Sequence, residues 1–191
     1  MSMDEYKQLE AGDIALVKTN SFMGRLIGKA FRCPSKLPWH GDSTPSGHNG
    51  IVGVNSKMEL CIFEAVPSGF RARPITDYIA DVHNEKCEII FARFKVPLTN
   101  LQKSKSQWWL QIHLGTKYDY LSYISHIWRI VLRQVPIVKI QSKSKFWCTE
   151  ALQKWSQSVG QTVLLGIDMI APIHIEQAID SEEMVIVAHY Y

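Results

Sequence analysis

The chain predicts an α+β fold in which an antiparallel sheet packs against helices. Three features carry this expectation. Stretches of period two rich in β-branched residues crowd the first half. Stretches with apolar residues three or four apart crowd the second half. No repeat, low-complexity segment or linker separates the two, so residues 1–191 read as one domain. With 46% hydrophobic and 10% aromatic residues, the chain holds enough apolar material to fill a core, which excludes the disordered and collagen-like classes.

Each element has its own local reason. GDIALVK (12–18) is an apolar run after a Gly-Asp turn and predicts a strand, with Asp13 capping or turning the chain before it. SFMGRLIGKAF (21–31) places Phe22, Leu26 and Ala30 on one helical stripe, with Asn20 or Ser21 as cap. A Pro- and Gly-rich loop follows over 32–47, long enough to suggest a lid or specificity loop. HNGIVGV (48–54) and MELCIFEA (58–65), joined by Asn-Ser-Lys, predict a hairpin. GFRARPI (69–75) and KCEIIFARFKV (86–96) add strands. LQKSKSQWWLQIHL (101–114) and YDYLSYISHIWRIVL (118–132) predict helices, Trp108 and Trp109 being expected in the core. The segment FWCTEALQKW opens a helix that Gly160 ends, and IHIEQAI (173–179) and MVIVAHY (184–190) predict a short helix and a last strand.

Composition narrows the function classes. The net charge of +3 and pI near 8.6 come from interleaved charges rather than a tail, so no nucleic-acid partner is expected. The basic stretch Lys139, Lys143 and Lys145, with Lys103 and Lys105, reads as a solvated connector, with contact to an anionic membrane surface as the weaker alternative. The polar N-terminus lacks an apolar signal core, and the most apolar later stretch is interrupted by His126, Arg129, Arg133 and Pro136, so a cytoplasmic location is expected. Cys33, Cys61, Cys87 and Cys148 lack paired spacing and read as reduced thiols. Cys33, His40, His48 and Cys61 include zinc-type ligands, but spacings of seven, eight and thirteen match no compact ligand pattern, so neither metal nor cofactor is expected.

Cys148 is either a packed core thiol or a nucleophile. Free cysteine is commonly buried. At the start of a helix, however, unpaired N–H groups and the positive end of the dipole favour a thiolate and can hold an oxyanion. Its candidate base is His48, the first residue of a strand, and the alternative is a surface histidine. Of the other histidines, His40, His83, His113, His126 and His189 lack comparable anchoring, and His174 is the hardest to dismiss. Glu64 is the acid closing an apolar strand, either orienting the imidazole or pointing into water. Glu150 fits a structural place in the first helical turn.

The segments GDIALVKTNSFMGRLIGKAF, SGHNGIVGV, FEAVPSGFRARPITDY, GTKYDY and FWCTEAL together resemble the circularly permuted NlpC/P60 (papain-like) hydrolases of the YiiX/YaeF type. The resemblance spans most of residues 12–155 and rests on order: histidine first, then the acid, then the cysteine. It implies a permuted papain-like fold, Cys148 as nucleophile, His48 as general base and acid, and Glu64 as the orienting group. Tyr118 or Tyr120 would line the cleft, with Trp147 and Thr149 shaping the pocket. Thr149 stands where the family more usually has Ser, and Trp147 is bulkier than the pattern. The implied activity is a cysteine hydrolase cleaving an amide bond in a small peptide or peptidoglycan fragment. The alternatives are a lipid acyl hydrolase or acyltransferase of the lecithin:retinol acyltransferase-like branch, and a non-catalytic binding module.

Overall fold

The computed structural model describes residues 6–19, 35–39, 45–121, 145–163 and 172–191. The helix expected over 21–31 lies outside them, as do most of the one expected over 118–132, Cys33, His40 and the central part of the 32–47 loop.

Six strands form one antiparallel sheet: β1 (Ile14–Thr19), β2 (His48–Val54), β3 (Leu60–Val66), β4 (Gly69–Pro74), β5 (Cys87–Phe94) and β6 (Met184–Tyr190). Their order is β4-β3-β2-β1-β5-β6, so the first strand lies in the middle. The predicted hairpin is β2–β3, with Ile51 opposite Phe63 and Val54 opposite Leu60. Its turn is organised by Asn55, whose Oδ1 accepts the N–H groups of Lys57 at 2.9 Å and Glu59 at 3.0 Å.

Four helices are present among the described residues: α1 (Ile75–His83), α2 (Asn100–Ile112), α3 (Cys148–Val159) and α4 (Pro172–Asp180). The last three lie where the sequence predicts them. α2 starts at a capping box in which the Thr99 side chain accepts from Gln102 N and the Gln102 side chain returns to Thr99 N. α3 ends at Gly160, whose φ of 75° is the left-handed conformation that glycine adopts without a Cβ clash. α1 is an addition to the expected elements. Its apolar residues Ile75, Tyr78, Ile79 and Val82 follow the spacing of one helical face.

Alternation along β1 shows why the strands are apolar throughout. Ile14 and Leu16 face a core shared with Trp109 and Leu110 of α2 and Ala151, Leu152 and Trp155 of α3. Ala15 and Val17 face a second core closed by α1. Helices thus cover both sides of the sheet, and a strand buried on both faces reads as a continuous apolar run. In the larger core Trp155 stacks on Phe94 with centroids 6.2 Å apart, while its indole N–H donates to Ser106 Oγ at 2.9 Å. Trp109 lies in this core as expected, but Trp108 is 64% exposed. The two cannot share a face because successive helical residues point about 100° apart.

Asp13 organises the turn before β1. It accepts Glu10 N at 2.8 Å and pairs with Arg93 at 2.7 and 2.9 Å. Cys61 and Cys87 are free buried thiols, and burial raises the pKa of each, Cys87 to about 11. No helix among the described residues is long and apolar enough to cross a membrane.

Candidate active site

The site forms where the start of β2 meets the start of α3. Cys148 is the first residue of α3 and is buried. The N–H groups of the first helical turn have no acceptor within the helix, so partial positive charge gathers around the thiol. β2 is tied to α3 by Asn49 Nδ2, which donates to Thr149 Oγ1 at 3.1 Å. Two residues before His48, Ser46 is fastened to α4, its N–H and hydroxyl donating to Glu176 Oε1 at 2.6 and 2.8 Å. His48 is therefore held on both sides, by Ser46 and by Asn49.

The imidazole is oriented by an acid on the neighbouring strand. His48 Nε2 lies 2.6 Å from Glu64 Oε2, and only 1% of the Glu64 side chain is exposed. This leaves Nδ1 as the ring nitrogen that can serve the thiol. Glu64 is surrounded by donors: Tyr78 of α1 gives its hydroxyl to Oε2, and Arg71 of β4, directly across the ladder, places Nε and Nη2 each 2.9 Å from Oε1. A carboxylate this deep is stable only with such partners.

The electrostatics follow from these contacts. Burial alone would raise Glu64, but His48, Tyr78 and Arg71 together hold it at about 2. Burial disfavours a charged His48, yet interaction with Cys148 and Glu64 raises the ring to about 10. For Cys148, burial pushes the thiol up, and His48 with the Thr149 hydroxyl outweighs it, so the net direction is down. The three shifts all run in the direction that favours charge separation: a more acidic thiol, a more basic imidazole and an ionised carboxylate. Thr149 Oγ1 lies 3.6 Å from the sulfur.

The structure thus brings together Cys148, His48 and Glu64, with Thr149 beside the sulfur. Trp147 is the buried residue preceding α3. Tyr118 is half-buried, its backbone bridging Phe146 and its ring 5.0 Å from that of Tyr120. Tyr120 is half-exposed and donates to Pro67 O at 2.9 Å, which fastens it to the β3–β4 turn. Glu150 pairs with Lys154 one turn on at 3.0 Å, the structural place expected of it.

Sequence reasoning passed over three groups. Tyr78 was hidden with α1, although the spacing of Ile75, Tyr78, Ile79 and Val82 signals that helix. Arg71 is detectable only through its register opposite Glu64. His189, expected to be poorly anchored, instead sits 2.6 Å from Glu88 Oε1 and packs edge-on against Trp39. β6 adds to β5 and brings residues 101 apart in sequence together. His174 on α4 has its pKa lowered by burial.

No protein-family profile and no curated protein matches the chain. Among solved structures, the fold is similar to that of the metalloprotein YiiX from Escherichia coli O157:H7, of DUF1105, with a TM-score of 0.54 at 20% identity. The similarity covers 94% of this chain and 89% of that one, so the sheet and its helices belong to a YiiX-like α+β fold.

Proposed function

We propose that the chain is a cysteine hydrolase of acyl bonds, amides first, on a permuted papain-like fold of the NlpC/P60 kind. The observation that carries this reading is the convergence of Cys148 at a helix N-terminus with His48, whose far nitrogen lies 2.6 Å from a buried Glu64. The thiolate of Cys148 attacks the carbonyl carbon, forming a C–S bond and an oxyanion that the first-turn N–H groups of α3 can receive. The oxyanion collapses, the C–N bond breaks, and the imidazolium of His48 gives its proton to the departing amine. Neutral His48 then takes a proton from water as the hydroxyl adds to the thioester. The C–S bond breaks, the acid leaves, and the thiolate–imidazolium pair is restored. Glu64 keeps the ring in the orientation and charge state that both proton transfers need.

YiiX is described as a metalloprotein. Among the described residues of this chain, no group of three or more His, Cys, Asp and Glu side chains could hold a metal ion.

A lipid acyl substrate is the second reading. It is favoured by Leu101, Trp108 and Ile112, which expose one apolar stripe along α2. Alkylation of Cys148 by iodoacetamide across pH, followed by mass spectrometry, tests the reactive pair. Assays on peptide amides, peptidoglycan fragments and lipid esters test the reaction. The expected result is alkylation well below the ~8.5 of an ordinary thiol, with amide hydrolysis lost in Cys148→Ala and His48→Ala. Faster turnover of lipid esters, with acyl transfer to an alcohol or amine, favours the second reading. Alkylation no faster than a model thiol and unchanged in His48→Ala leaves only a binding module.

A further inference from the structure

Four charges meet at this site, and the fourth has no part in the mechanism above. In the reactive state Cys148 and Glu64 are negative and His48 is positive, which leaves one negative charge over in a place where Glu64 is 1% exposed. Arg71 supplies the missing positive charge. It stands opposite Glu64 in the β3–β4 register, and both its Nε and Nη2 lie 2.9 Å from Oε1, while Oε2 is left to His48 and Tyr78. The two carboxylate oxygens are thus divided between a fixed cation and the working histidine.

We propose, resting on the hydrolase reading, that Arg71 is a positioning residue whose charge, acting through Glu64, sets the pH at which the Cys148–His48 pair becomes reactive. The groups facing Glu64 are His48 from β2, Arg71 and Arg73 from β4, and Tyr78 from α1, with Cys148 of α3 beyond the imidazole. Arg73 does not replace Arg71. Its guanidinium lies over the Tyr78 ring at 4.3 Å and is committed to Asp81 at 2.7 Å. Tyr78 is neutral and donates a hydrogen bond without charge. Removing the Arg71 charge leaves Glu64 easier to protonate. Where Glu64 stays ionised, its charge is no longer offset and opposes a second negative charge on Cys148, so the thiolate is lost at a higher pH. Opposite charges at this range move a carboxyl by about 1–3 pKa units. The side chain of Arg71 is 49% exposed, so solvent screening places the effect at the low end.

The test is the pH profile of Cys148 alkylation by iodoacetamide in the full chain, read at the Cys148 peptide. Wild type is compared with Arg71→Met, Arg71→Gln and Arg71→Lys, each checked for native circular dichroism. The two neutral variants are expected to move the acid limb up by about one pH unit, a roughly tenfold loss of rate on that limb. Arg71→Lys is expected to keep the limb close to wild type. A folded neutral variant with the wild-type profile overturns the proposal, as does a lysine variant that behaves like the neutral ones. Either neutral variant suffices if the other fails to fold. A wild-type profile that itself titrates like a free thiol overturns the hydrolase reading instead, a distinct outcome visible before any variant is made.

Discussion

Replacing Glu64 with glutamine keeps the shape of the side chain and removes its charge. The carboxyl is held at about 2 against an ordinary 4.5. At about 1.4 kcal/mol per pKa unit, the ionised group stabilises the fold by about 3 kcal/mol at neutral pH. The side chain is 1% exposed, so solvent screening removes little of this. His48, raised to about 10, registers the same contact together with its interaction with Cys148, and its shift is therefore not added. The sign follows from the depressed folded value. The stabilisation is fully present above about 4.5, falls to about 1 kcal/mol near pH 3, and is lost as pH drops through about 2. Glu64→Gln should therefore unfold at neutral pH with a midpoint lower by about 6–12 °C, and its deficit should shrink to less than half near pH 3. Thermal unfolding followed by circular dichroism measures the midpoint, and urea unfolding at pH 7 and pH 3 measures the deficit. Activity on any amide substrate should fall by about 10²–10⁴-fold, the scale of a lost acid–base contribution. A deficit of the same size at both pH values would mean that Glu64 acts by packing, and the charge reasoning would be wrong.

Two further outcomes follow from packing. At Gly50 an added Cβ would meet Ile62 Cγ2 at 2.4 Å and Phe63 O at 2.9 Å, so Gly50→Ala should strain β2 against β3 and destabilise by about 1–3 kcal/mol, measured by urea unfolding; wild-type stability would show that the strands yield freely. Trp155→Ala should cost about 3–5 kcal/mol, since it empties a fully buried site and leaves Ser106 without its indole donor, whereas Trp108→Ala on the exposed face should stay within about 0.5 kcal/mol; similar losses at both would contradict the division of α2 and α3 into inner and outer faces.

The strands and the helices around Trp109 and Cys148 were legible because their signals are local. Alternation in HNGIVGV and LCIFEAV, the Thr99–Gln102 box and Gly160 each act within a few residues of themselves. α1 was missed although its apolar spacing is present, because its nine residues follow directly on Pro74 and the strand pattern of GFRARP masks its start. Trp108 illustrates the limit of composition, since two adjacent tryptophans on a helix face different surroundings.

The candidate site divides in the same way. Residue type and place marked Cys148, His48 and Glu64 as candidates, each with a structural alternative left open, and the family resemblance of their order pointed to the catalytic reading. Everything that sets their charge states came from the tertiary structure. Whether His48 meets Glu64 depends on the register of β2 on β3. Whether Glu64 stays ionised depends on Arg71, brought opposite by β4, and on Tyr78, brought over by α1. Sequence encodes periodicity and caps over one or two turns. The 100-residue step from Asn49 to Thr149, and the pairing of residues on different strands, are decided only when the sheet and helices pack, because burial makes those distant contacts the least costly way to satisfy their polar groups.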